Sequence, residues 1–412
     1  MEFYGFLSTI IFYAGLPFFY AERVIHKKSF GWKEKFGNIT PPFKDERIIM
    51  IHGVSVGEVI ALENLVKKIK EVFPQYKIVI TTGTKTGQDI AHKKFEGTAD
   101  YITYFPFDIP SAVTKFLDTL KPSLVLIAET ELWPNFAYGC KKKNIPLCII
   151  NGRISDSTYK TYKLAKPFFK EVFKNFTAVY AQSKEDLEKY RSIGIAEDKS
   201  EFMGNLKFDI QKKESSIDIG QQGYKILIAG STHKGEDEIV LSIFKKLKKD
   251  FPNLKLLLAP RHPQRVPDIE QLIKNMELTY GLRSKDDKFT NYDIVILDTL
   301  GELGKMYSIC DIAFIGGSFN KTGGHNPLES VIFNKPTLSG PSIHNFKDIY
   351  SILVNSQAGK VASTPDELYS TIKLLLSDDL LYKQTEAACA SVFEEQKGAL
   401  DFVINKIRQI LK

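Results

Sequence analysis

Arg47–Thr82 reads RIIMIHGVSVGEVIALENLVKKIKEVFPQYKIVITT, and Lys225–Pro260 reads KILIAGSTHKGEDEIVLSIFKKLKKDFPNLKLLLAP. Each has an apolar strand run, a loop bounded by glycines, a helix, a Phe-Pro pair and a second apolar strand. The offset is 236 − 58 = 178 at the Gly-Glu pair and 251 − 73 = 178 at the Phe-Pro pair. A looser likeness continues downstream. Val125–Glu129 answers Ile312–Gly316 as a buried strand, and Asn144-Ile145-Pro146 answers Asn334-Lys335-Pro336 ahead of the next one. Strand and helix alternating twice at this distance predict an α/β chain of two Rossmann-like domains, each with a mostly parallel sheet. Ligands of such sheets bind beyond the carboxyl ends of the strands, so two facing domains are expected to share a central cleft there.

Composition sets the outer limits. A chain of 412 residues suits two ordinary domains plus an appendage. Its net charge of +7 favours anionic ligands or a membrane surface, and is too diffuse to argue nucleic acid. Cys140, Cys148, Cys310 and Cys389 have no C-x-x-C spacing and read as reduced core thiols of a cytosolic body. The amino terminus is different. Phe3–Ala21 carries no charge, and as a helix it measures roughly 27–29 Å, barely the bilayer core. No basic segment precedes it and no A-x-A follows, so a cleaved signal peptide fits poorly. Arg23, Lys27, Lys28, Lys33 and Lys35 come next and should stay cytoplasmic. Residues 1–22 are therefore expected to form a membrane-anchor helix that spans or dips into the inner membrane, with a buried core helix as the alternative.

The remaining chain divides into a first domain over 23–209, a polar linker over 210–223, a second domain over 224–395 and a closing helix over 396–412 able to return to either domain. Tyr159–Phe176 interleaves Lys160, Lys163, Lys166, Lys170 and Lys174 with Tyr162, Phe168, Phe169 and Phe173. It suits a lipid-facing element or, equally, a solvated helix with its aromatics turned inward.

Chemistry-bearing residues collect at strand ends. Gly53–Glu58 leaves a strand and opens a helix; Glu58 is either a general base or an acid favoured at a helix start. Glu129 and Glu131 follow the strongest buried strand, where acids are costly unless they bind something. Asn151-Gly152-Arg153 closes the next strand. In the second domain Gly230–His233, Arg261-His262, Gly316-Gly317-Ser318 and Gly323–Glu329 end strands or open a helix. Asn326 as N-cap and Pro327 as first helical residue would expose amides for an anion, with Arg261 adding charge and Glu329 reaching ribose hydroxyls. A plain capped helix is the competing reading. Neither G-x-G-x-x-G after the first strand nor a P-loop occurs, D-x-D is absent, and no His/Cys cluster has metal spacing. No cofactor and no metal are expected. Two facing domains with a metal-free nucleotide site point to a GT-B-type transferase.

Six motifs in order, His52–Glu58, Glu129–Asn135, Gly204–Asp209, Pro260–Pro263, Gly301–Leu303 and Gly324–Glu329, resemble those of the bacterial Kdo transferases. The likeness covers nearly the whole chain, with Gly53 standing where serine is common. It implies an inner-membrane enzyme of lipopolysaccharide biosynthesis, working at the cytoplasmic face, that moves 3-deoxy-D-manno-octulosonate from CMP-Kdo to the lipid A precursor (lipid IVA) with inversion. It further implies Glu58 as the general base, and Glu129 and Lys207 as transition-state stabilisers. The CMP-binding segments would be Arg261 and His262, Gly301, Glu302 and Leu303, and Asn326, Pro327, Leu328 and Glu329. Implied partners are CMP-Kdo, the lipid A precursor and the anionic membrane surface. Other GT-B-fold enzymes, a UDP-sugar transferase or an epimerase, and a tethered binding module with a dead site are the alternatives.

Overall fold

The computed structural model of the protein describes residues 2–26, 31–210, 212 and 217–412. The chain forms two compact units, one of Met1–Asp209 with Gln396–Lys412, the other of Ile210–Glu395. The first is built on seven strands: β1 (Ile48–His52), β2 (Lys77–Thr82), β3 (Tyr101–Tyr104), β4 (Leu124–Ala128), β5 (Leu147–Gly152), β6 (Ala178–Ala181) and β7 (Ser200–Phe202). They lie in the order β3-β2-β1-β4-β5-β6-β7, every neighbouring pair parallel. The second holds β8 (Lys225–Thr232), β9 (Leu254–Pro260), β10 (Tyr280–Leu282), β11 (Ile294–Ile296), β12 (Ile312–Ile315), β13 (Thr337–Ser339) and β14 (Gly359–Val361). Their order is β10-β11-β9-β8-β12-β13-β14, again all parallel. The duplicated passages supply adjacent parallel pairs, β1 with β2 and β8 with β9, and the looser repeats β4 and β12 pair with β1 and β8. The topological switch falls at β1/β4 and at β8/β12, where open α/β sheets place ligands.

Strand residues alternate between two cores. Met50, Val125 and Ile127 face one layer of helices, whereas Ile49, Ile51, Leu124 and Leu126 face the other. In the second unit Leu227, Leu256 and Leu258 oppose Ile226, Ile228 and Leu257 in the same way. Burial on both faces explains runs such as LVLIA and LKLLLAP, which show no polar alternation. Asn144 and Asn334 end their helices at left-handed φ of 54° and 59°, so the shared Asn-x-Pro spacing marks equivalent turns. The closing helix Ala399–Ile410 returns to the first unit, burying Val403, Ile404 and Ile407 in its core. Asp209 caps that helix by accepting from Gly398 N at 2.7 Å and Leu400 N at 2.5 Å.

The amino-terminal helix Glu2–His26 is present, but its first turns pack on protein. Ser8 Oγ accepts from Asn135 Nδ2 at 2.9 Å, and Phe12 meets Phe107 with ring centroids 4.8 Å apart. Tyr4 similarly meets Phe168 at 5.2 Å. Its other face exposes Phe6, Ile10, Ile11 and Tyr13. No helix among the described residues is long and apolar enough to cross a membrane. Lys27 and Lys28 lie outside the described residues. Lys35, grouped with them in the sequence, instead turns into the first unit, donating to Gly83 O at 3.2 Å with its ammonium 5.0 Å above the Tyr104 ring.

Tyr159–Phe176 is two helices, Asp156–Leu164 and Lys166–Phe173, the second opening at Pro167. Phe173 and Phe176 are buried, and Tyr162, Phe168 and Phe169 pack against the core. Lys160, Lys163, Lys166, Lys170 and Lys174 face solvent together with Leu164, 89% exposed. The aromatics thus follow the inward reading, and the charged face remains outside.

Candidate functional site

In the first unit the polar groups gather at the carboxyl edge of the sheet. Ser55 caps the helix Val56–Ala61 and forms a reciprocal box with Glu58, three residues on. Glu58 Oε1 accepts from Ser55 Oγ at 2.7 Å and Oε2 from Val54 N at 2.8 Å. The side chain is only 8% exposed. Burial raises its pKa, Ser55 and Val54 oppose that rise, and the Glu131 charge adds to it. Glu58 is therefore both the capping acid and a carboxyl with heightened proton affinity, the property a general base needs.

Glu129 follows β4, the neighbour of β1, at a left-handed φ of 57° that is strained for a residue with a Cβ. Its amide donates to Ile150 O at 3.0 Å and its carbonyl accepts from Tyr190 Oη at 3.1 Å, so both sides of the strained peptide are fixed. Glu131 is pushed up by burial and by the Glu129 charge. Glu58, Glu129 and Glu131 thus form one acidic group.

Lys207 reaches the same edge along a strap. After β7 the chain turns back across the ends of β6 and β5. Asn205 Nδ2 donates to Gln182 Oε1 at 3.1 Å, and Asn151 Oδ1 accepts from Leu206 N at 2.9 Å. Asn151 Nδ2 donates to the same Gln182 oxygen at 3.4 Å. The strap then passes Glu63–Val72, where Asn64 Nδ2 donates to Asp209 O at 3.0 Å. All three amide side chains are buried, so Lys207 stands on a rigid base. Gln182 carries no motif of its own, and nothing in its spacing marks it.

The second unit is built differently at the equivalent edge. Gly316 must be glycine, because a Cβ there would stand 2.6 Å from Ser231 O. Glu236, aligned with Glu58 by the repeat, is 1% exposed. Its Oε1 accepts from Ser318 N at 2.8 Å and Phe319 N at 2.9 Å; its Oε2 accepts from Gly317 N at 2.7 Å and His233 N at 2.9 Å. The amides of Gly317, Ser318 and Phe319 are thus already bound to a protein carboxylate. The helix expected after Asn326 is a single turn, Leu328–Val331, although Asn326 Oδ1 does accept from Leu328 N at 3.1 Å. The helix is thus shorter than expected, while Asn326 does stand at its start.

Side-chain cations occupy the space instead. Arg261 and His262 leave the end of β9 exposed, and their charges reach His325. Arg265 is committed elsewhere, paired with buried Asp237 and donating to Thr232 O at 3.2 Å. His233 and His325 meet Nε2 to Nε2 at 2.9 Å. Gly301 is exposed ahead of the short helix Leu303–Met306. Glu302 pairs with Arg283 at 3.5 Å and accepts from the Thr299 hydroxyl. The Glu329 carboxylate lies beside Gly304, 3.6 Å from where a Cβ would stand, which joins the Gly301–Leu303 and Asn326–Glu329 segments. Among the described residues no three His, Cys, Asp or Glu side chains are grouped to hold a metal ion.

Two parallel seven-stranded sheets in two compact units, with polar residues collected at their carboxyl edges, define a GT-B-like fold. The fold is shared, at 14% identity and a TM-score of 0.55, with UDP-GlcNAc 2-epimerase from Neisseria meningitidis bound to UDP-GlcNAc, over 88% of this chain and 100% of that one. The family model described as 3-Deoxy-D-manno-octulosonic-acid transferase (kdotransferase) matches residues 30–210. The 3-deoxy-D-manno-octulosonic acid transferase of Haemophilus influenzae is 34% identical over 402 residues, 95% of this chain and 92% of that protein. A bifunctional glycosyltransferase/methyltransferase of Fusobacterium nucleatum is 37% identical over 368 residues, 86% of this chain and 56% of that longer protein. The chain belongs to the 3-deoxy-D-manno-octulosonic acid transferases and is a glycosyltransferase.

Proposed function

We propose that this enzyme moves Kdo from CMP-Kdo to the lipid A precursor by an inverting, metal-independent displacement at the cytoplasmic face of the inner membrane. The observation carrying this reading is Glu58: a buried carboxyl of raised proton affinity, beside Glu129 and Glu131, in a Kdo transferase chain. Glu58 takes the proton from the acceptor hydroxyl as its oxygen attacks the Kdo anomeric carbon from the face opposite the phosphate. The bond from that carbon to the phosphate oxygen breaks, and CMP leaves with the electron pair. Glu129 and Lys207 stabilise the charge developing at the sugar. Arg261, His262, Gly301–Leu303 and Asn326–Glu329 hold CMP. With the leaving phosphate held by cations, no metal is needed to draw off its charge, in keeping with a sequence that lacks D-x-D.

Within this reading the first unit takes the acceptor and the second the nucleotide. Exposed Phe6, Ile10 and Ile11 on the amino-terminal helix, with the lysine face from Lys160 to Lys174, hold the protein against an anionic bilayer surface. A purified-enzyme assay tests the proposal: incubation with CMP-Kdo and lipid IVA, against UDP-GlcNAc as competitor donor. Kdo-bearing lipid and free CMP in equal amounts are expected. Epimerised UDP-sugar without any Kdo product would favour the epimerase alternative.

A further inference from the structure

We propose that His233 and His325 form a proton-loading clamp for the donor's phosphate, each satisfying the other when the site is free and both turning their Nε2–H onto the phosphate when it is filled. This rests on the reading of the second unit as the nucleotide site. The rings are nearly coplanar, 8° apart, with centroids separated by 5.2 Å and Nε2 atoms by 2.9 Å, so they meet edge to edge. At that distance one Nε2 carries a hydrogen and the other accepts it; two hydrogens would collide. The free pair therefore holds no more than one proton between its facing nitrogens.

The surroundings say what would change that. Glu236 faces His233 from the helix Glu236–Asp250 and contributes a negative charge already committed to four amides. Arg261, His262 and Arg265 face the pair from the segment after β9, and His262 meets His233 edge-on with centroids 5.7 Å apart. Burial first, then Arg261 and the neighbouring histidines, hold His325 down to about 4; burial also lowers His233. The empty pair is thus neutral near pH 7. Because Glu236 holds the amides of His233 and Gly317–Phe319, those are closed to a phosphate arriving here, and the two imidazoles stand as side-chain donors. The phosphate's negative charge offsets the repulsion from Arg261 and favours an imidazolium over a tautomer shift within the neutral pair, so one ring takes a proton from solvent and both Nε2–H groups donate to phosphate oxygens.

Calorimetry of the full chain with CMP at pH 7.5, in buffers of differing ionisation enthalpy, reads the proton directly. About one proton taken up per CMP is expected, with affinity weakening by up to about tenfold per pH unit from pH 7 to 8.5. His233→Gln and His325→Gln should each remove the uptake and weaken CMP about ten- to a hundredfold, with melting temperatures confirming that each variant folds. CMP binding to wild type without proton uptake overturns the proposal and leaves the CMP reading standing. Uptake seen with UDP but no binding of CMP overturns the CMP reading and leaves the clamp standing. If neither nucleotide binds with uptake, the clamp is wrong whatever the variants do.

Discussion

Glu58 and Glu236 occupy equivalent places in a duplicated passage, and replacing each by glutamine should have opposite consequences. In Glu236→Gln one carboxylate oxygen becomes an NH2 group. Each oxygen of Glu236 accepts from two backbone amides, so two buried N–H groups then face a donor. A buried donor left unsatisfied costs about 1–3 kcal/mol, giving a loss of about 2–6 kcal/mol for the two in the second unit. In a domain of this size that lowers the melting temperature by roughly 4–24 °C. Glu58→Gln leaves no such orphan. The amide oxygen keeps Val54 N, and the new NH2 donates to Ser55 Oγ, whose hydrogen rotates away. Its stability change should stay below about 1 kcal/mol. Differential scanning calorimetry of both variants, with CMP added to mark the second unit's transition, makes the comparison. A Glu236→Gln transition shifted no further than that of Glu58→Gln would refute the idea that Glu236 holds the Gly317–Phe319 loop.

Three shorter predictions follow from other parts of the molecule. Transfer should persist in excess EDTA, and loss of activity that Mg²⁺ restores would show that a metal takes part. Burial holds His52 down to about 3 against 6.5 for an exposed ring, so below about pH 6.5 the unfolded chain binds a proton that the folded one refuses. Stability should fall by about 1.4 kcal/mol per pH unit toward pH 3, and His52→Asn should remove that share of the acid slope in urea unfolding. Removal of residues 1–21 should weaken binding to anionic vesicles only partly, the remainder fading as salt rises, because the lysines from Lys160 to Lys174 remain; salt-insensitive residual binding in co-sedimentation would contradict a charge-based contact.

The duplicated passage made the two-sheet architecture legible because each strand is buried on both faces, and only continuous apolar runs satisfy that. It also placed Glu58 correctly at a helix start. Four things stayed hidden for a common reason: the partner that decides a residue's role lies far away in sequence. Gly317 and Ser318 end a strand with no partner visible nearby in the sequence; Glu236, some eighty residues earlier, binds their amides, and its alignment with Glu58 was the available clue. Lys35 read as part of a basic run, yet its ammonium is drawn to Gly83 O and the Tyr104 ring. Phe3–Ala21 read as an anchor because it lacks charge, but Ser8 and Phe12 show that one face was selected to pack on protein. Gln182, which fixes both Asn151 and Asn205 beneath Lys207, has no local signature at all.

The central claim is that Glu58 is the base of a Kdo transfer. Single-turnover transfer from CMP-Kdo to lipid IVA by Glu58→Gln, with CMP affinity measured on the same preparation, tests it most directly. The account predicts unchanged CMP affinity and a rate lowered by about 10²–10⁴. A variant that folds, binds CMP and transfers Kdo within about threefold of the wild-type rate would contradict it.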